Sequence, residues 1–264
     1  MSQSTLLLPV LTLWWREIVR FYRQKNRVIG ALGSPLVFWF LIGSGLGTSF
    51  QHPVFPEGRG YLTYFFPGTM LLILLFTSIF STISIIEDRR EGFLQSVLVA
   101  PVPRSGLVLG KILGGTTLAL MQGLIFLALA PTVGIVISVQ SLVMLVGTLS
   151  LISFGLTGLG FCIAWRLDST QGFHAIMNVF LIPMWLLSGS IFPTDSAPTW
   201  LWWIMHLNPM MYGLSALRLC LYPGNHDSVG GFPSLTFSLG ITAFFGLVTF
   251  GVSSVLAARR TTVV

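Results

Sequence analysis

YLTYFFPGTMLLILLFTSIFSTISII, residues 61–86, runs for 26 positions without a charged side chain, and EDRREG, residues 87–92, follows with five charges in a row. A bilayer crossing needs about 20 mostly apolar residues in helical form, because lipid offers no partner to a backbone N–H or C=O. The first run meets that demand, and the second ends it at a membrane surface. Together they decide the fold class: all-α, a polytopic membrane protein.

Working outward, similar charge-free stretches recur along the 264 residues. They predict six transmembrane helices at about 28–50, 62–86, 107–130, 141–165, 172–192 and 234–258, within one transmembrane domain over 1–264. Composition agrees. Charged residues are 8% of the chain and hydrophobic residues 53%, against about 25% charged in soluble proteins. So few charges cannot clothe a water-exposed surface of this size.

The net charge of +6 does not point to nucleic acid, because the basic residues lie between apolar blocks and form no patch interleaved with aromatics. With six crossings and both termini cytoplasmic, twelve basic residues fall inside, from Arg16, Arg20 and Arg23 through Arg89, Arg90, Arg104, Lys111 and Arg166 to Arg259 and Arg260. Only Arg59 and Arg218 fall outside, which is the bias that cytoplasmic loops carry. The expected location is the cell inner membrane. The spans are read as free of charge, with Lys111 counted on the cytoplasmic flank. A seventh crossing through 199–221 would put His206, Asn208 and Arg218 into lipid at a cost of several kcal/mol.

Four segments carry further information. Residues 5–27 predict an interfacial amphipathic helix: Arg16, Arg20, Arg23 and Arg27 share one stripe, read as facing anionic headgroups, and Leu11, Trp14, Trp15, Ile18 and Tyr22 lie opposite. The loop 87–103 clusters charges in Glu87–Glu91, then repeats Phe93, Leu94, Val97 and Leu98 on one helical face until Pro101 and Pro103 stop it. Such a face suits a groove on another protein, or the bilayer surface. Residues 193–233 carry Trp200, Trp202 and Trp203, suited to an interface belt, and a break at Asn208-Pro209. That predicts outer re-entrant helices, with Arg218 snorkelling to headgroups or water. Gly106, Gly110 and Gly114 recur every four residues, which lets helices approach closely.

Tyr64-Phe-Phe-Pro-Gly-Thr69, Glu87-Asp-Arg-Arg-Glu-Gly92 leading through Ala100-Pro-Val-Pro103 to Gly110-Lys111, and Leu207-Asn-Pro-Met-Met-Tyr-Gly-Leu-Ser-Ala-Leu-Arg218 come in order across nearly the whole chain. In them the chain resembles the permeases of ABC-2 type exporters. The resemblance implies a cytoplasmic coupling helix at Glu87, Asp88, Arg90, Glu91, Phe93, Leu94, Val97 and Leu98, seated in an ABC ATPase (nucleotide-binding) subunit, with two such subunits serving two permease copies. It places the outer gate near Asn208, Pro209 and Tyr212. A substrate path along Phe65, Phe66, Phe76, Thr77 and Phe80 would suit an amphipathic, lipid-like or lipid-linked cargo. No large outer domain interrupts the spans, which disfavours substrates needing an outer handover.

What is missing points the same way. Gly106-Leu-Val-Leu-Gly-Lys-Ile112 is one residue short of a phosphate-binding loop between its glycines and lacks the magnesium-binding hydroxyl. ATP and Mg are therefore expected in the partner subunit, with no cofactor in this chain. His52, His174, His206 and His226 are scattered, Cys162 and Cys220 suggest neither a disulfide nor catalysis, and no nucleophile sits beside a base. No catalytic or metal site is expected, and a secondary transporter or an intramembrane lipid-modifying enzyme is the alternative.

Overall fold

The computed structural model describes residues 4–46, 61–192, 194, 197–223 and 233–259. Their secondary structure is entirely helical: α1 (Ser4–Arg23), α2 (Lys25–Leu46), α3 (Tyr61–Ser81), α4 (Ile83–Arg90), α5 (Phe93–Val99), α6 (Arg104–Leu127), α7 (Val139–Ala164), α8 (Thr170–Trp185), α9 (Thr199–Leu207), α10 (Pro209–Leu221) and α11 (Leu235–Arg259). Five helical stretches are long and apolar enough to cross a membrane: Tyr61–Arg90, Arg104–Leu127, Val139–Ala164, Thr170–Ser190 and Leu235–Arg259. The chain is a multi-pass membrane protein. The expected first span is shorter in its apolar part, Leu32–Gly45, and its end at 47–50 lies outside the described residues, as do 193, 195, 196 and 224–232 of the outer region.

One boundary moves. The charged run was expected to open a loop at 87, but α4 continues α3 in line through Arg90. Nothing in Glu87–Arg90 breaks a helix. The chain turns only at Gly92, whose φ of 77° is left-handed and costs a residue without a Cβ very little.

α3 is the centre of the bundle, nearly all of it buried between α2, α6, α7 and α10. Aromatic rings set the half of it that begins at Tyr61. Phe66 stacks on Phe126 of α6 with centroids 4.5 Å apart, and Trp39 of α2 meets both rings edge-on. Phe65 stacks on Tyr61 and meets Trp185 edge-on. α8 and α11 lie at the periphery, where Val179, Phe180, Phe244 and Leu247 are exposed.

The N-terminal helix has three sides. Leu8, Leu11 and Trp15 are exposed, Val10, Leu13, Glu17 and Phe21 are buried, and Arg16 and Arg20 turn to the tip of α4. The buried side lies on the glycine stripe of α6. A Cβ on Gly114 would sit 2.7 Å from the Cβ of Glu17, and one on Gly110 would sit 3.0 Å from the carbonyl oxygen of Val10. The stripe thus seats α1. Close backbone approach of this kind is the usual service of small residues in membrane helices. Trp14 Nε1 donates to Thr117 Oγ1 at 2.9 Å and fixes the crossing.

Gly114→Leu should therefore push α1 off α6. The expected loss is about 1–3 kcal/mol, read as a lower thermal unfolding midpoint in detergent, with Gly147→Leu as the control because nothing stands within 4 Å of a Cβ there.

Candidate functional site

The tip of α4 gathers most of the chain's described charges. Asp88 is fully buried, and three cations surround it. Arg16 donates from Nη2 to Oδ1 at 2.6 Å and from Nη1 to Oδ2 at 3.0 Å. Arg20 and Lys111 also bond this carboxylate. Lys111 reaches Glu17 Oε1 at 2.6 Å and Ser84 Oγ at 3.2 Å. Arg20 extends to Glu87 and Glu91, each at 3.0 Å. Burial alone would lower the Arg20 pKa, but Asp88, Glu87 and Glu91 outweigh it and raise the value above the ordinary one.

The neighbouring residues hold the tip from its other side. Arg89 donates to the carbonyls of Trp165 (2.6 Å) and Leu167 (2.8 Å) and pairs with Asp168 at 2.7 Å. Arg90 Nε donates to the Asp168 carbonyl at 3.1 Å. The end of the central helix is thus clamped by α1 and α6 on one flank and by the α7–α8 connection on the other.

This arrangement corrects several expectations. Arg16 and Arg20 serve the α4 carboxylates, since a buried carboxylate needs donors more than a headgroup does. Lys111 is not a solvated flank: it is buried within α6, so the spans are not free of charge. Asp88 and Leu94 belonged to the expected partner-facing set, yet both are buried within this chain. Phe93, Val97 and Leu98 are half-buried against the same core, with Arg16 over the Phe93 ring at 3.7 Å. The outward side of α5 is Gln95, Ser96 and Val99, beside exposed Arg90 and Glu91; Glu87 is half-buried. The spacing of Gln95, Ser96 and Val99 opposite Leu94 was legible in the sequence.

The expected path residues divide likewise. Phe65, Phe66 and Thr77 have no exposed surface; the two rings pack the core, and Thr77 Oγ1 bonds Gln122 Oε1. Phe76 and Phe80 are half-buried and touch each other, and Phe80 meets His174 of α8 edge-on at 5.4 Å. On α8 itself Gln171, His174 and Asn178 are all exposed, at i, i+3 and i+7 on one face. Sequence reading passed over Gln171 and Asn178, although polar residues at that spacing in an apolar span were the signal.

At the other end of the bundle, α8 breaks. Pro183 lies in the helix, a π turn follows at Leu186–Ser190, and Gly189 takes φ 88°. Side chains from neighbouring helices meet the carbonyls near this break. Asn208 Nδ2 donates to Met184 O at 2.6 Å, Arg218 Nη2 and Tyr64 Oη to Gly189 O at 2.8 and 3.3 Å, and Tyr61 Oη to Ile191 O at 3.1 Å. Arg218 was expected to snorkel outward; it is buried because that carbonyl and the Tyr64 ring, 4.5 Å away, receive it. Asn208 caps α10 through Met210 N, Pro209 occupies the first helical position, and Tyr212 Oη donates to His206 O at 2.8 Å. The three expected gate residues therefore form the corner between α9 and α10. At 1.5 Å per residue these helices reach only about 14 and 20 Å, too short to cross.

Residues 9–222 match the family model described as ABC-2 type transporter. Nodulation protein J of Sinorhizobium fredii is 25% identical over 253 residues, covering 95% of this chain and 93% of that protein. The provisionally named transport permease ycf38 of Cyanophora paradoxa is 25% identical over 205 residues, 77% of this chain and 70% of the relative. The probable multidrug ABC transporter permease YbhR of Escherichia coli K12 is 27% identical over 134 residues, 51% of this chain and 36% of YbhR.

Removing one partner from a buried ion pair strands the other. Lys111→Met should cost about 3–5 kcal/mol, while Lys111→Met with Glu17→Leu removes one charge of each sign and should recover most of that. Chemical denaturation of the three purified proteins measures the difference.

Proposed function

Since this chain belongs to the ABC-2 type transporter family, as an ABC transporter membrane subunit, we propose that it is the permease half of an exporter driven by a separate ATPase. Two copies form a homodimer in the cell inner membrane, each with six crossings and cytoplasmic termini, and two nucleotide-binding subunits bind ATP and Mg below them. The observation that carries this reading is the clamped tip of α4. A partner pressing on Gln95, Ser96 and Val99 of α5 would move a segment tied by Asp88 to α1 and α6, and by Arg89 to the α7–α8 connection. A rigid lever transmits motion; a loose loop would absorb it.

Export, the direction, rests on the broken outer end of α8 closed by Asn208, Pro209 and Tyr212, which suits a gate that opens away from the ATPase. The path follows the polar face of α8. Asn178 is exposed within the span, and an amide facing acyl chains is costly, so a wet path between two copies is the better surrounding. Phe76 and Phe80 beside Gln171, His174 and Asn178 suit a cargo with both apolar and hydrogen-bonding parts: a drug, a lipid or a lipid-linked glycan. A relative named as a multidrug permease fits that breadth.

The test is at Val99 of α5, which is 87% exposed. A cysteine there should cross-link to the ATPase subunit, and Val99→Glu should lower transport-coupled ATP hydrolysis by about tenfold or more, the loss of one contact worth about 1.4 kcal/mol, with unfolding temperature unchanged. Leu94→Ala should instead lower stability by about 2–5 kcal/mol, because that side chain fills the permease's own core. Full coupling in Val99→Glu without cross-linking would refute the assignment of α5.

A further inference from the structure

A groove of about 620 Å³ runs along α1 beside the clamp, lined by Thr12, Trp15, Arg16, Val19, Arg20, Arg23, Gln24 and Glu91. Three guanidinium groups line it at positions 16, 20 and 23, one helical face, against a single lining carboxylate. Arg16 and Arg20 spend their Nη atoms on Asp88, Glu87, Glu91 and Glu17, which leaves the Nε–H of each outside those bonds. Arg23 is exposed and makes no hydrogen bond or ion pair to the described residues. The side-chain oxygen of Gln24 is buried without a partner, so it does not open onto the groove as an acceptor. Around the groove three arginines thus face one carboxylate, Glu91, a net positive lining.

The rim gives the depth in the membrane. Trp15 lines the groove and also belongs to the exposed strip Leu8, Leu11 and Trp15, which suits the boundary between acyl chains and headgroups. A site with apolar residues on one side and guanidinium forks on the other fits a phosphate diester carrying acyl chains. Arginine is the side chain best shaped for phosphate oxygens.

We infer that this groove binds the phosphate of an anionic membrane phospholipid, held by Arg23 with the Nε–H groups of Arg16 and Arg20, its acyl chains along Trp15 and Leu11. The bound lipid neutralises the outer side of the same arginines whose inner side holds Asp88. It is thereby a structural ligand of the clamp, and the lipid composition of the membrane sets how firmly α1 holds the tip of α4. The inference does not depend on the direction of transport or on the cargo.

Arg23 is the residue to change, because it lines the groove and takes no part in the clamp. The permease is placed in nanodiscs of phosphatidylcholine alone or with added phosphatidylglycerol, as wild type and as Arg23→Gln, and retained lipid is counted by native mass spectrometry alongside the unfolding temperature. Wild type should retain phosphatidylglycerol and be stabilised by it, and Arg23→Gln should bind it about fivefold more weakly, the effect of one arginine near an anionic surface, and lose that stabilisation. Arg23→Lys should restore part of it. Equal retention and equal stabilisation in Arg23→Gln would overturn the inference. So would Arg23-dependent stabilisation by inorganic phosphate alone in phosphatidylcholine discs, which would assign the groove to a soluble anion. Both readouts need no ATPase subunit, so failure here leaves the α5 coupling assignment standing, and the reverse.

Discussion

A carboxylate withdrawn from water must find its donors within the protein, and Asp88 has no exposed surface. Its position at the last turn of α4 makes that demand structural. Lys111 comes from α6, Arg16 and Arg20 come from α1, and each is held near the tip because leaving Asp88 uncompensated would cost several kcal/mol. Glu17 and Glu91 then share the excess cation donors. A surface ion pair would be worth little, but this group is largely shielded, so its members act as one unit whose parts depend on each other.

The same rule operates with neutral groups at the far end. A helix broken at depth frees carbonyls that lipid cannot satisfy, and the π turn after Trp185 would be unaffordable alone. Tyr61 and Tyr64 of α3, Arg218 of α10 and Asn208 at the α9–α10 corner meet those carbonyls. The α9–α10 corner is consequently fastened to α8 by hydrogen bonds of definite geometry. Between the two ends α3 runs as a packed apolar rod, with Phe66 on Phe126 and Phe65 on Tyr61. A displacement at Glu87–Arg90 therefore has a stiff route to Tyr61 and Tyr64, which touch the broken end of α8.

The fold class was legible because residues 61–86 leave no alternative to a buried or lipid-bathed helix, and the break at Asn208-Pro209 is written in the residue types. The inward turn of Asp88 was not. EDRREG reads as a solvated loop by composition, and its partners stand far off in sequence, Glu17 and Lys111 being 94 positions apart. Local periodicity carries no information about such pairs. Arg218 misled for the same reason: its acceptor, the Gly189 carbonyl, exists only once α8 has broken. Leu94 shared an apolar face with Phe93 and Val97, and periodicity cannot tell whether that face meets its own chain or another. The polar residues of α8 were readable at their spacing, and so were the three arginines of α1, although which of them would be left over for the groove was set by tertiary pairing alone.

The proposed lever requires α1, the tip of α4 and α5 to move as one body when the partner acts. Spin labels at Thr12 and Gln95, both exposed, in the permease reconstituted with its ATPase subunit, measure it by electron-electron double resonance. One narrow distance distribution is expected, the same without nucleotide and with trapped ATP, while a label pair at Gln95 and Val252 shifts between those states. A Thr12–Gln95 distance that broadens or changes with ATP would contradict it, because α5 would then move without the helix that clamps it.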